Sequence, residues 1–280
     1  MESETPPAEF ALRNARVAIL GLGLIGGSLA LALRGKCAAL LGADPNPEAR
    51  LLAEASGALE RVAADPAEIL PSADAVILAA PVRTILALLE DLPRLTPRTT
   101  VVMDVGSTKS AIVERMAGLP PRFDPIGGHP MAGKEHGGFA NAEAGLFSGA
   151  PFVLTPLART TQRARNFALA VVEAVGARPL WLDAKTHDRY AAAISHLPYL
   201  TSLALALATP PEATTMAGPG FRSATRLAAT PPQMMLDILL TNRRAVLEAL
   251  SHFRRTLDAL ENALIAEEEE ELRALLTRKR

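Results

Sequence analysis

Two short stretches of this chain combine residue types and spacings suited to chemistry. The first is "GLGLIGGSLALAL", where Gly21, Gly23 and Gly26 form GxGxxG directly after the apolar run "RVAIL". Such glycines allow a tight turn, close approach of a pyrophosphate to the backbone, and close packing of helix on strand. The N–H groups of the helix start, around Leu24, Ile25 and Gly26, would then face the phosphates with the positive helix end behind them. A second strand, "AALLGAD", ends at Asp44, 23 residues after Gly21. A carboxylate there can accept hydrogen bonds from both adenosine ribose hydroxyls and repels a 2′-phosphate, which predicts NAD over NADP. Asp44 also reads as a turn residue before "PNPE", where Asn46 and Pro47 start the next helix.

The second stretch is "GGHPMAG", residues 127–133, which holds one of the five histidines. Two glycines before His129 and a proline after it bare and stiffen the backbone around a single imidazole. Imidazole changes charge near neutral pH, so a ligand-facing His129 would be suited to moving protons. The same residues also fit a tight turn that happens to contain a histidine.

The elements that must position these residues alternate. "PNPEARLLAEASG" reads as a helix stopped by Gly57, "ADAVILAAP" as a strand, and "TILALLEDL" as a helix capped by Thr84. "TTVVMDVG" is a strand, and "STKSAIVERMAG" a helix with Ser107 as N-cap. "FDPIGGHP" and "PFVLTP" are short strands, "TQRARNFALAVVEAVG" a helix ended by Gly176, and "RPLWLD" a last strand. Beyond Asp183 the strand signals stop and helices follow, with Glu269 and Arg273 spaced to pair along one helix face. The expected fold is α/β: a doubly wound Rossmann-type sheet over residues 16–183, after a flexible lead-in over 1–15, followed by an all-α domain over 184–280. Ligands of such sheets bind beyond the carboxyl ends of the strands. "AAPV", with Ala80, Pro81 and Val82, "DVGSTK" and "GGHP" all map to that rim. The small side chains of "AAPV" would leave room for a nicotinamide.

Composition excludes several classes. The chain has 280 residues, is 49% hydrophobic and 21% charged, and has a net charge of −1, which leaves no basic excess to hold nucleic acid or an anionic membrane. Its single cysteine, Cys37, cannot form an internal disulfide, and no Cys/His cluster has zinc spacing, so no metal is expected and a reducing cytoplasm fits. Val17–Leu33 lacks charge and includes a GxxxG, yet it is short for a membrane span, rich in glycine, and without the layout of a signal peptide.

"GLGLIGGSLA", "DVGSTKS", "GGHPMAGKEHGG", "ISHLPYL" and "GPGFRSATRLA" follow one another in this order. Together they closely resemble the prephenate/arogenate dehydrogenase family of tyrosine biosynthesis, from about residue 16 to 260. The resemblance implies NAD(P)-dependent oxidative decarboxylation, of prephenate to 4-hydroxyphenylpyruvate or of arogenate to tyrosine, by a homodimer built through the helical domain. It makes His129 the catalytic histidine and Ser107 the serine that orients the substrate hydroxyl. Arg226 matches the arginine that grips a substrate carboxylate, a task for which a planar fork is suited. His196 matches a pocket histidine, though its apolar neighbours also fit a satisfied core residue. Glu135 matches an acid at the pocket mouth, though it also fits a solvated loop charge. Ser223 stands where the family often has Asp, and Met235 where it often has Trp, which leaves the choice between prephenate and arogenate open. The chain is expected to lack room for an appended regulatory or mutase domain.

Two other readings have distinguishable signatures. A 3-hydroxy-acid dehydrogenase would use a lysine on a helix of the second domain. Here only Lys185, ahead of the first expected helix, and Lys279 are available. A non-catalytic NAD-binding sensor should have lost His129, Ser107 or Arg226, and all three are present.

Overall fold

The computed structural model describes residues 11–134 and 136–277. The strands are β1 (Arg16–Leu20), β2 (Ala39–Ala43), β3 (Arg61–Ala63), β4 (Ala75–Leu78), β5 (Thr100–Asp104), β6 (Phe123–Pro130), β7 (Pro151–Pro156) and β8 (Arg178–Trp181). They form one sheet in the order β3-β2-β1-β4-β5-β6-β7-β8. β1 to β6 pair in parallel, and β7 meets β6 antiparallel with His129 opposite Val153. Every residue of β2, β4 and β5 is buried. This is why these strands read as continuous apolar runs: a parallel sheet is covered on both faces.

The covering helices are α1 (Leu24–Leu33), α2 (Pro47–Ala55), α3 (Val82–Leu95), α4 (Ser110–Ala117) and α5 (Gln162–Ala174). The stretch Val17–Leu33 is thus strand, turn and a ten-residue helix. α2 begins as its sequence predicts, with Asn46 Oδ1 accepting from Glu48 N at 2.9 Å and Pro47 in the first turn. α3 does not begin at Thr84. It starts at Val82 with Pro81 as the residue before it and no side-chain cap. Part of the expected flexible lead-in is also packed. Leu12–Asn14 form one 3₁₀ turn, and Leu12 and Ala15 are buried against the core. Residues 1–10 lie outside the described residues. The three-residue β3 carries too little pattern to be found in the sequence.

The helices that follow are α6 (Ala184–Ala191), a π-helical turn (Ala192–His196), α7 (Leu197–Ala208), α8 (Pro219–Thr225), α9 (Pro232–Thr241), α10 (Arg243–Ile265) and α11 (Glu269–Thr277). Lys185 therefore lies within the first helix rather than ahead of it. Glu269 and Arg273 pair at 2.7 Å along α11. The compact units do not divide at the expected break after Asp183. The first keeps the chain as far as Asp188 and takes back Ala229–Thr241; the second is Arg189–Ala228 with the chain from Asn242 onward. Polar contacts explain the difference. Asp188 accepts from Lys109 N and Ser110 N at 2.7 and 2.8 Å. On α9, Asp237 pairs with Arg83 at 3.5 Å, and the Thr241 and Thr108 hydroxyls are 3.0 Å apart.

A buried ion pair locks the β5–α4 turn. Asp104 and Lys109 are fully buried and bonded to each other through Oδ2 and Nζ. The Asp104 carboxylate also accepts from Gly106 N at 2.8 Å and Gly128 N at 3.3 Å, tying the turn to β6. Burial pushes the Asp104 carboxyl above its ordinary value and the Lys109 ammonium below its own, and each partner's charge opposes that drift. Lys109→Met would leave a buried carboxylate without its counter-charge. It should lower the unfolding free energy by about 3–5 kcal/mol in urea titration. Adding Asp104→Asn to that variant should restore much of the loss. A cost below about 1 kcal/mol for the single variant would show that the pair does not hold the turn.

Candidate active site

The carboxyl ends of β1, β2 and β4 form the first half of the site. Gly21 has φ +97°, and a Cβ there would lie 2.5 Å from the Ala79 carbonyl oxygen. At Gly26 a Cβ would overlap the Gly21 carbonyl oxygen, so these two glycines let the loop fold under its own helix. Gly23 differs. A Cβ there would meet nothing within 4 Å, which leaves its backbone open to a ligand. α1 follows with no side-chain cap at its N-terminus, as a helix that receives a phosphate requires. Leu24 is buried, and the half-buried Ile25 packs on the core.

Asp44 closes this cradle. Its Oδ2 accepts from Leu22 N at 2.7 Å and its Oδ1 from Asn46 N at 2.8 Å. The carboxylate therefore holds the turn and also braces the glycine loop, so the two sequence readings of Asp44 coexist. Each oxygen has a second lone pair with which to meet a ribose hydroxyl. Ala80 and Pro81 lie on the rim after β4, whereas Val82 points into the core. These residues fit NAD: a bare loop for the pyrophosphate, an acid for the ribose, and small side chains beside the next strand.

The ends of β5 and β6 form the second half. Ser107 is half-buried in the turn after β5 and does not cap α4, which starts three residues later. The cap is instead Asp188, from far along the chain, whose two oxygens take the N–H groups of Lys109 and Ser110. His129 lies near the end of β6, within the strand expected from "FDPIGGHP". Gly128 beside it is required by space, because a Cβ there would lie 2.7 Å from the Asp104 carbonyl oxygen.

Behind His129 runs a chain of hydrogen bonds that the sequence reading missed. His129 Nδ1 is 2.8 Å from His187 Nε2, and His187 Nδ1 is 2.9 Å from Asp188 Oδ1. His187 and Asp188 are almost fully buried. Burial alone would raise the Asp188 carboxyl, but bonds from His187, the Ser110 side chain and the two backbone N–H groups outweigh it and hold the carboxyl below its ordinary value. The stabilisation these contacts confer is present at neutral pH and lost as the pH falls through that depressed value. One signal was available in the sequence. His187 and Asp188 fall on the same buried helix stripe as Ala191 and Ala192, where polar residues need partners.

Of the remaining expected site residues, His196 and Arg226 belong to the second unit. His196 is buried at the end of the π-helical turn, where Asn242 Nδ2 lies 3.3 Å from its Nδ1. Such turns recur at functional positions. Arg226 is exposed, caps the end of α8 and opens the 3₁₀ turn Arg226–Ala229. Ser223 is exposed on α8; Met235 is buried on α9, in the first unit. Glu135 lies outside the described residues.

A doubly wound sheet with a dinucleotide cradle, and a supported imidazole two strands further along the same edge, defines a pyridine-nucleotide dehydrogenase. The family model described as "Prephenate dehydrogenase, nucleotide-binding domain" matches residues 29–180, and "Prephenate dehydrogenase, dimerization domain" matches 183–278. The chain is 32% identical to a prephenate dehydrogenase of Bacillus subtilis over 268 residues, covering 91% of this chain and 72% of that one. The crystal structure of prephenate dehydrogenase from A. aeolicus with hydroxyphenyl propionate and NAD+ superposes with a TM-score of 0.86 at 32% identity, over 94% of both chains. Synechocystis arogenate dehydrogenase matches with a TM-score of 0.80 at 33% identity, over 93% of this chain and 96% of that one. The chain belongs to the prephenate dehydrogenase family, as an NAD-dependent oxidoreductase.

The two glycine environments predict opposite phenotypes. Gly23→Ala fits a φ of −75° and should leave stability within about 0.5 kcal/mol while weakening NADH binding in a fluorescence titration. Gly26→Ala should cost about 1–3 kcal/mol from the forced backbone shift. Equal stability for both variants would contradict the cradle geometry.

Proposed function

We propose that this chain catalyses the NAD-dependent oxidative decarboxylation of prephenate to 4-hydroxyphenylpyruvate, of arogenate to tyrosine, or of both, in tyrosine biosynthesis. The observation that carries this reading is the placement of His129, backed by His187, on the sheet edge that also bears the glycine loop. Family relatives named for both substrates support it.

The substrate is a cyclohexadienol whose ring becomes aromatic once carbon dioxide leaves, so the protein need not supply the driving force. NAD, when bound, supplies the hydride acceptor. Gly21, Gly23, Leu24, Ile25 and Gly26 would hold its pyrophosphate, Asp44 its ribose, and Ala80 and Pro81 would border the nicotinamide, with Val82 packed in the core behind them. His129 takes the ring hydroxyl proton and Ser107 orients that hydroxyl. Arg226 binds a substrate carboxylate, and His196 and Glu135 complete the substrate contacts. Arg50, which donates to the Asp44 and Pro45 carbonyls at 2.9 Å, is a cation at the ribose turn, so Asp44→Ala should narrow the preference for NAD over NADP.

The chain acts as a homodimer through its helical domain. Exposed Ile194, Leu207, Met216 and Ile265 in the second unit favour such pairing. No nucleic acid or membrane partner enters this reading, and the assigned place is the cytoplasm. Residues 184–208 are long and apolar enough to cross a bilayer. Yet they include His187 and Asp188, which are engaged with β6 and α4 in the first unit.

Absorbance at 340 nm with purified protein, NAD and either substrate tests the activity, and a flat trace with both would refute it. His129→Asn should bind substrate and lower kcat by about 10²–10⁴-fold. In the parent, kcat should fall as acid protonates His129. Arg226→Ala should lose about 1.5–3 kcal/mol of binding, roughly a 10- to 150-fold rise in KM, with NAD affinity nearly unchanged. Arg226→Lys should recover only part. KM values within about twofold for both substrates would remove Arg226 from the site.

A further inference from the structure

We propose that His187 and Asp188 are positioning residues that fix the tautomer of His129, placing its lone pair on Nε2, where it can take the substrate proton. The inference rests on His129 being the base of the proposed reaction.

The proton assignment follows from the acceptors. Asp188 receives the N–H groups of Lys109 and Ser110 at 2.7 and 2.8 Å. Those donors favour a carboxylate, which can only accept. His187 Nδ1, 2.9 Å from Asp188 Oδ1, must therefore carry a hydrogen. In neutral imidazole the other nitrogen is then an acceptor. His187 Nε2 is thus a lone pair, and it faces His129 Nδ1 at 2.8 Å. Two lone pairs at that distance would repel, so His129 carries its hydrogen on Nδ1. Its Nε2 is left as the basic nitrogen, so the backbone bonds at α4 determine the state of a side chain on β6. The rings meet edge to face, 64° apart with centroids separated by 5.1 Å, which suits an in-plane N–H aimed at an in-plane lone pair.

The arrangement also serves the state after proton transfer. A doubly protonated His129 still donates from Nδ1 to His187, and the Asp188 charge lies one ring further on. Among the described residues, Lys109 and Asp104 carry charge beside this network. Lys109 attracts Asp188, and its ammonium is held by Asp104. In a serine-hydrolase triad a buried carboxylate fixes an imidazole tautomer directly. Here a second imidazole stands between carboxylate and base, so the carboxylate can cap a helix of the nucleotide unit at the same time.

The direct test is ¹⁵N-resolved NMR of the histidine side chains in the full chain without cofactor, with assignment from His129→Asn and His187→Leu. The expected parent spectrum shows His129 protonated at Nδ1 and His187 also at Nδ1. A parent His129 protonated at Nε2 would overturn the proposal, whatever the variants do. In His187→Leu, His129 should move toward the Nε2–H tautomer that an unconstrained neutral imidazole favours. Its kcat should fall by about 10²-fold, the lower end of the general-base range, with NADH binding unchanged. His187→Gln can offer an amide oxygen near the former Nε2 and should restore the Nδ1–H signal and most of kcat. If His129→Asn is slow but His187→Leu keeps both the parental tautomer and kcat, the proposal fails and the base assignment stands. If His129→Asn is as fast as the parent, the base assignment itself fails.

Discussion

The Asp104 carboxylate is the contact on which the rest of the site depends. It is buried at the end of β5 and serves three clients: the Lys109 ammonium, Gly106 N and Gly128 N. The first two fold the turn that presents Ser107. The third draws β6 against β5, next to His129. On the same turn the N–H groups of Lys109 and Ser110 are taken by Asp188. A charge that would be costly to bury alone is tolerated because its geometry is complete. One turn and one strand are thereby fixed at once.

The sheet edge combines two kinds of polar organisation. Around the dinucleotide cradle the protein offers backbone N–H groups, small side chains and one acid, and keeps its own bulk away. Around His129 it buries charge and hydrogen-bonds it fully. The difference follows from the ligands each must serve. A pyrophosphate needs close approach to the backbone, which only missing side chains permit. A proton acceptor needs a fixed ring and a fixed tautomer, which only supporting partners provide. Asp44 uses both devices: its carboxylate braces the glycine loop while keeping lone pairs for a ribose.

What could be read from the sequence was what local pattern decides. The apolar strand runs, GxGxxG with Asp44 at its distance, and the Asn46–Pro47 helix start all depend on neighbours a few residues away. His129 was legible as a residue singled out by its glycines and proline, and its strand "FDPIGGHP" was legible too, but the antiparallel pairing with β7 that holds the strand's last residues was not. Ser107 was a sound local cap for α4. It lost to Asp188, about 80 residues away, because a carboxylate reaching two N–H groups is the stronger acceptor. Thr84 lost to Val82 because Pro81, with its fixed φ and missing N–H, already sets the helix entry. The return of α9 to the first unit rests on Arg83–Asp237 and Thr108–Thr241, pairs between distant segments that no local period encodes.

The two departures from the family pattern separate on the same grounds. Met235 is buried on α9 and belongs to packing within the first unit, where a flexible thioether adapts to the space its neighbours leave. Ser223 is exposed on α8, three residues before Arg226 on the same helical run. Replacing an acid there removes a negative charge one helical turn from the guanidinium without disturbing any core. A carboxylate at that position would compete for Arg226 or pair with an ammonium on the ligand. A serine offers the guanidinium a hydroxyl instead of a charge. The two departures thus act through different physics, one through charge on an exposed helix and the other through packing in the core.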